Sequence, residues 1–268
     1  MSEQHRLKPG KNIRLEEITT KGKKFADDRD AAEEEFRSLR CELTELQRKF
    51  YAEGKHKLLV VLQAMDAGGK DGTIRNVFRG VNPQGVRVTS FKGPSQEELS
   101  RDFLWRIHKA VPAQGMIGVF NRSHYEDVLV VRVDRLVPEE IWRARYEQIN
   151  QFEHLLTETG TTILKFYLHI SKKEQKERFQ SRLDEPQKHW KFSREDLEKR
   201  KKWDEYMQAY EEALERCTTR WAPWYVIPAD QKWYRNLAIT RVLVSTLKQL
   251  DPQFPDNKDE VAGFKIED

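Results

Sequence analysis

A carboxylate and a lysine stand four residues apart in the stretch Ala64-Met65-Asp66-Ala67-Gly68-Gly69-Lys70-Asp71-Gly72-Thr73, directly after the apolar run Leu58 to Leu62. A glycine loop between a strand and a helix turns backbone N–H groups toward one point, and the helix dipole adds positive potential there. That arrangement can hold a phosphoryl group, with Lys70 as the mobile cation that follows it from donor to acceptor. Gly68 and Gly69 are expected to remove the Cβ atoms that would block close approach. The common phosphate-loop pattern has Gly where Ala64 stands and Ser or Thr where Asp71 stands. That hydroxyl usually holds Mg²⁺, so Thr73 or Asp66 must take over if a metal is used. Asp66 has two readings, as a metal ligand or as a base orienting a nucleophilic phosphate. Phosphoryl transfer is mostly positioning and charge neutralisation, which favours the metal.

Two further clusters have matching chemistry. In Asn121-Arg122-Ser123-His124-Tyr125-Glu126-Asp127, Arg122 can neutralise a phosphate, while Glu126 and Asp127 offer carboxylates to a metal or nucleotide. An Asp often closes this strand in phosphate-loop proteins, but the residue here is the neutral Asn121. Farther on, Arg178 and Arg182 lie one helical turn apart and can share a face, grip phosphates bidentately and cover transition-state charge. The segment continues through Lys188, Lys191, Lys199 and Lys202 as a basic lid over about 178–202.

The elements that must position these residues follow from periodicity. Phe36, Leu39, Leu43, Leu46 and Phe50 recur at helical spacing over 31–52. Strands are expected at 57–63, 86–91, 116–121, 161–170 and 224–227, and helices at 69–81, 96–111, 138–159, 172–183, 194–216 and 237–251. Alternation of this kind predicts an α/β fold, with a parallel sheet covered by helices on both faces. In such sheets ligands bind beyond the carboxyl ends of the strands, where the three clusters stand. The chain is read as one domain over 1–268, with an N-terminal arm and helix (1–52), the lid, and a polar tail (251–268). Residues 1–30 are expected to form an irregular arm over the surface. On the helix over 194–216, the face formed by Leu197, Trp203, Tyr206, Tyr210 and Leu214 is expected to be core.

With 268 residues, 34% of them charged, the chain can bury a substantial core beneath a heavily ionised surface. No apolar run approaches the roughly 20 residues that cross a bilayer, and the N-terminus has no apolar signal core. Only Cys41 and Cys217 are present, far apart, which argues against a disulfide framework. These features lead to the expectation of a cytoplasmic protein with no membrane partner. The net charge of +4 is modest, but the basic stretch over 172–202 against an acidic tail suggests a polyanionic partner.

Several segments together resemble the polyphosphate kinase 2 family: QAMDAGGKDGTIR, the region from Phe91 to His108, FNRSHYEDVLVVRV, RLDEPQKHWKFSREDLEKRKKWDEY and WYVIPADQKWYRN. The similarity spans about Leu39 to Leu250. It implies a P-loop kinase-like three-layer αβα fold with a helical lid, and an enzyme moving phosphoryl groups between inorganic polyphosphate and nucleotides. Mg²⁺ would be the cofactor, with Mn²⁺ as the alternative. By matching position, Asp66 and Lys70 belong to the phosphate loop with Ala67, Gly68, Gly69, Asp71, Gly72 and Thr73, Arg122 to the second motif and Arg182 to the lid. Asn121 departs from the family's usual Asp and shifts the metal to Asp66 and Asp127. The form FNRSHYEDV resembles the subgroup that accepts both AMP and ADP, with ATP as product, in which Glu126 and Asp127 help place the acceptor. Arg178, Lys188, Lys191, Lys199 and Lys202 would line the polyphosphate. A homodimer or homotetramer is implied, and no nucleic acid. Two rivals remain at this point: an ATP-dependent nucleotide kinase of thymidylate-kinase type, and a non-catalytic polyphosphate-binding module.

Overall fold

In the computed structural model, which describes residues 3–256 together with Phe264 and Ile266, the apolar runs become five parallel strands. The chain runs α1 (Arg29–Glu53), β1 (Lys57–Gln63), α2 (Lys70–Val77), β2 (Val86–Ser90), α3 (Gln96–Leu99), α4 (Trp105–His108) and β3 (Ile117–Asn121). It continues through α5 (Val130–Val133), α6 (Glu139–Glu158), β4 (Thr161–His169), α7 (Lys172–Asp184), α8 (Arg194–Lys201), α9 (Trp203–Arg216), β5 (Trp224–Pro228) and α10 (Lys232–Leu250). The sheet order is β2-β3-β1-β4-β5. Leu58 to Leu62 of β1 are wholly enclosed, as a central parallel strand requires when both faces are covered.

This order determines where the site falls. β1 leads leftward to β2, whereas its neighbour β3 leads rightward to β4. With right-handed crossovers, the chain leaves those two adjacent strands toward opposite faces and opens a crevice between them. The loop after β1 and the segment after β3 both line it.

Four expectations change. Residues 96–111 are not one helix: Asp102 Oδ1 accepts from Leu104 N at 2.9 Å, a local bond that competes with helix continuation and separates α3 from α4. The helix expected over 194–216 breaks at Lys202. Its second half buries Trp203, Tyr206, Tyr210 and Leu214, but Leu197 is exposed, because α8 packs no residue into the core. The last helix starts at Lys232 rather than 237, which brings Arg235 and Asn236 into its buried first turns. The N-terminal arm is anchored: Ile13 and Leu15 are buried, and Leu7 N donates to Trp224 O at 2.8 Å while Val226 N donates to His5 O at 2.9 Å. Arg6 thereby bridges Tyr225 antiparallel and covers the edge of β5. The tail expected over 251–268 lies mostly outside the described residues.

Candidate active site

The chain reverses sharply after both central strands. Ala67 (φ 59°) and Arg122 (φ 62°) occupy the left-handed region, which costs an L-residue roughly 1–2 kcal/mol, and Gly69 (φ 105°) caps α2. Strain of this kind persists only where the surroundings over-determine it. Here Arg122 N donates to Leu62 O at 3.1 Å, which ties the second reversal to β1.

The two reversals meet through side chains. Asp66 Oδ1 accepts from Arg122 Nη2 at 2.8 Å, and its other oxygen lies 3.7 Å from Lys199 Nζ of α8. Burial pushes the Asp66 carboxyl up, but Lys70, Arg122, Lys199 and Arg182 outweigh it and hold the group below its ordinary value. It is therefore ionised at neutral pH. Burial and then Arg122 lower the Lys70 ammonium, with Asp66, Glu126 and Asp71 partly offsetting them. Lys70 Nζ donates to Ala64 O at 2.9 Å, so it lies along the inside of the loop. Glu126 Oε2 is 3.7 Å from Arg122 Nη1. Asp66, Lys70, Arg122, Glu126, Arg182 and Lys199 thus form one mixed-charge group drawn from loop, second strand end and lid.

The two departures from the common phosphate-loop pattern touch each other. Asn121 Nδ2 donates to Asp71 Oδ1 at 2.6 Å. An amide on the strand and a carboxylate on the helix replace the usual carboxylate on the strand and hydroxyl on the helix. Thr73 does not supply the missing hydroxyl toward the loop: its Oγ1 is enclosed and finds no hydrogen-bond partner. Gly68 and Gly69 are also required by packing. A Cβ on Gly68 would fall 2.4 Å from Ala64 Cβ, and one on Gly69 would fall 2.0 Å from Arg235 Nη1.

Among the described residues no three His, Cys, Asp or Glu side chains converge as a closed metal cage. A hard cation such as Mg²⁺ needs only one or two carboxylates when substrate phosphates complete its shell. Ionised Asp66, beside the loop, fits that kind of site.

Asp127 is placed elsewhere. Arg145 Nη1, from α6, donates to its Oδ1 at 3.0 Å and to its backbone O at 3.2 Å. Arg101, Phe103, Arg106, Asp127 and Arg145 line a separate cleft, made possible by the break between α3 and α4. Burial pushes the Asp127 carboxyl up to about 6, although Arg145 and Arg106 pull it down. Asp127 is thus held by an ion pair with Arg145, and Asp66 by one with Arg122. Arg101, Arg106 and Arg145 had no role in the sequence reading, because cations dispersed over the α3–α4 link, α4 and α6 leave no local pattern.

The lid cations differ from one another. Arg178 is a correction to the polyphosphate-lining row. Its Nε donates to Glu174, its Nη1 to Ala67 O and Gly68 O at 2.9 Å each, and its Nη2 to Ala229 O at 2.5 Å and Asp230 O at 3.3 Å. All five N–H groups are engaged, so the side chain braces the loop from behind. Arg182 donates to Asp196 at 2.8 Å and to Lys191 O at 3.0 Å. Lys188 pairs with Glu185 and Ser181, Lys202 pairs with Asp134 at 2.7 Å, and Lys191 lies over the Trp190 ring.

Beneath the second strand end lies a dry polar network. Lys165 Nζ donates to Glu153 Oε2 at 2.5 Å, Tyr125 OH at 2.8 Å and Cys217 O at 2.7 Å; Glu153 Oε1 also accepts from Tyr125 OH and bonds His124. Each of these side chains except Cys217 Sγ takes part in holding residues 123–126 under the site, and His124 is a buried structural group. Burial raises the Tyr125 hydroxyl far above its ordinary value, with Glu153 next, so it stays a donor.

This geometry has known counterparts. The family model described as Polyphosphate kinase 2 matches residues 26–255. The chain belongs to the polyphosphate kinase 2 family. It is 57% identical over 242 residues to the AMP/ADP-polyphosphate phosphotransferase of Meiothermus ruber, covering 90% of each chain. It is 44% identical over 267 residues to the ADP-polyphosphate phosphotransferase of Rhodopseudomonas palustris, covering 95% of this chain and 92% of that one. Among solved structures, the polyphosphate kinase 2 of Arthrobacter aurescens TC1 superposes with a TM-score of 0.91 at 44% identity, over 99% of this chain and 93% of that one. The parallel sheet with flanking helices is thus the fold of polyphosphate kinase 2 proteins. Among the described residues no helix is long and apolar enough to cross a membrane.

Proposed function

We propose that this polyphosphate kinase 2 phosphorylates both AMP and ADP from inorganic polyphosphate, reversibly, with Mg²⁺ or Mn²⁺ as cofactor and ATP as the final nucleotide. Membership of the family and its phosphotransferase relatives carry the polyphosphate-dependent reaction. The observation that carries the residue assignments is the meeting of Asp66, Lys70 and Arg122 at the crevice, with Lys199 and Arg182 from the lid.

In this reading the N–H groups at the start of α2 hold the transferred phosphoryl group, and Lys70 exchanges its bond to Ala64 O for a phosphoryl oxygen. Arg122 faces the developing charge from the other reversal, and Arg182 and Lys199 approach from the lid; such preorganised donors commonly supply 10²–10³-fold or so of rate each. The divalent cation, when bound, neutralises phosphate charge and aligns the groups for in-line transfer. Asp66, ionised and held by Arg122, is the residue that would hold it, with Asp71 and Glu126 nearby. Lys188, Lys191, Lys199 and Lys202 remain as cations for the rest of the polyphosphate chain. Arg101, Arg106 and Arg145 suit the phosphate of an acceptor nucleotide, and Phe103 its base or sugar. Cytoplasmic residence, supported by the two free thiols, and a homodimer or homotetramer complete the reading.

The test is kinetic. Arg145→Ala is expected to raise KM for AMP about tenfold or more while leaving KM for polyphosphate within twofold, as loss of a charged hydrogen bond implies. Equal effects on both substrates would remove the acceptor from that cleft. Turnover of ADP but not of AMP by the wild-type protein would remove the dual-acceptor assignment.

A further inference from the structure

One strongly charged side chain near the loop has no part in the scheme above. Arg235, on the first turn of α10, is almost wholly enclosed, with 2% of its surface exposed. Among the described residues its side-chain hydrogen bonds go only to the neighbouring Asn236 Oδ1, from Nη2 at 3.0 Å and Nε at 3.3 Å. Among the described residues no carboxylate lies within ion-pair distance of it, and the charge felt most strongly is the like charge of Arg178. Burial first, then Arg178, push this guanidinium down to about 9.

Its position is what gives this meaning. The guanidinium lies against the phosphate loop. A Cβ on Gly69 would come within 2.0 Å of Nη1, and one on Gly72 within 3.5 Å of Nη2. Gly69 is thus the residue that admits it, while Gly72 lies in ordinary contact. It sits at the N-terminal end of α2, where the helix already presents partial positive charge; cations are favoured at the opposite end. Arg178, beside it, is neutralised by Glu174 at 2.8 Å and is saturated by carbonyls. Lys232, on the same turn of α10, is likewise lowered by burial and then by Arg178, Lys188 and Arg235. Three like-signed charges and a helix N-terminus are gathered around one loop; of the three only Arg178 has an ion-pair partner among the described residues, and Arg235 is the one lying against the loop's glycines. Burying such a charge is costly unless something compensates it. The compensation available at the loop is an anion.

We propose that Arg235 is a positioning residue for phosphate binding: its unpaired charge acts through the backbone of Gly69 and Gly72 to raise the loop's affinity for polyanion, without touching the ligand, at the expense of the free protein's stability. The proposal rests on the loop being the polyphosphate site, as in the reading above. It separates charge from packing, because the two predict opposite stability changes. A packing residue destabilises the free protein when replaced, whereas removing an uncompensated buried cation by an apolar side chain of similar length relieves it.

The experiment compares wild-type protein, Arg235→Met and Arg235→Lys. Thermal melts are recorded without polyanion, and tripolyphosphate binding is followed by titration calorimetry at two salt concentrations. Arg235→Met is expected to melt at or above the wild-type temperature and to bind tripolyphosphate roughly tenfold more weakly or worse, the order for a unit charge acting over several ångströms at an effective dielectric of about 20. Arg235→Lys should retain most of the affinity. The proposal is overturned if R235M binds tripolyphosphate within twofold of wild type, if it melts several degrees lower, or if R235K loses as much affinity as R235M. Should R235M fail to fold, packing governs the position and the proposal falls, while R235K still reports whether charge matters. Wild-type protein that binds no tripolyphosphate would overturn the functional reading as well; wild-type binding with an indifferent R235M overturns this inference alone.

Discussion

Asn121→Asp probes the pair that replaces the usual phosphate-loop chemistry. Asn121 Nδ2 donates to Asp71 Oδ1 at 2.6 Å. The substitution turns the donor into a second carboxylate oxygen at that contact. Two unit charges about 4 Å apart repel by about 1 kcal/mol in water and about 4 kcal/mol at an effective dielectric of 20. Asp71 is exposed, so the lower part of that range applies, roughly 1–2 kcal/mol, with about 1 kcal/mol more for the lost hydrogen bond. At about 2–4 °C per kcal/mol for a chain of this size, the variant should melt about 4–12 °C below wild type at pH 8. The sign of the pH dependence follows from linkage. Two carboxylates in contact bind a proton more tightly folded than unfolded, so the deficit is absent below the unfolded carboxylate range and grows as pH rises through the folded pair's titration. Melts from pH 4 to pH 8, without and with Mg²⁺, read this directly. Mg²⁺ should narrow the deficit at pH 8, because adjacent carboxylates favour a hard cation. The double variant N121D/D71N restores one donor and one acceptor and should recover most of the loss. A deficit that is constant with pH, or a double variant no better than N121D, would refute the reasoning.

Three other outcomes are expected. Gly69→Ala, whose Cβ would lie 2.0 Å from Arg235 Nη1 at a backbone φ of 105°, should lose at least about 2 kcal/mol by urea unfolding, with the left-handed backbone alone contributing roughly half; stability equal to wild type would mean that the loop is not held as described. Lys165→Met leaves Glu153 as an uncompensated buried carboxylate and should cost about 3–5 kcal/mol, with K165M/E153Q less destabilised than K165M alone. Asp127 titrates at about 6 when folded, above its unfolded value, so it contributes stability at low pH that is lost as pH rises through about 6. That step amounts to at most about 3 kcal/mol for two units, and it should vanish from melting profiles of Asp127→Asn between about pH 4 and pH 7.

Four of the five strands were legible as short, mainly apolar runs bounded by polar or glycine-containing segments, and a central parallel strand such as Leu58 to Leu62 admits little else; the edge strand β2, Val-Arg-Val-Thr-Ser, is the exception. The convergence of the loop, Arg122 and the lid was legible too, since the rule that ligands bind beyond the carboxyl ends of parallel strands needs only where each strand ends. What escaped was non-local or locally contested. The helix expected over 96–111 was interrupted by a side-chain bond from Asp102, which apolar periodicity does not register. Arg178 and Arg182 look equivalent at one-turn spacing, yet one faces the back of the loop and the other Asp196. Arg235 lay outside the expected helix start, and a lone arginine among Trp233, Tyr234 and Asn236 gives no hint of burial. The partner of Asp127, Arg145 of α6, was not legible either, since eighteen residues and a helix start separate the two.

The central claim, transfer of phosphoryl groups from polyphosphate at the loop bearing Lys70, is tested most directly by incubating the purified protein with long-chain polyphosphate, Mg²⁺ and either AMP or ADP, omitting ATP and separating the nucleotides over time. Lys70→Ala, with folding verified by circular dichroism, runs in parallel. The account predicts ADP and then ATP from AMP, ATP from ADP, and a loss of about 10²-fold or more in the variant. No transfer from polyphosphate to either nucleotide, or an undiminished rate in folded K70A, would contradict it.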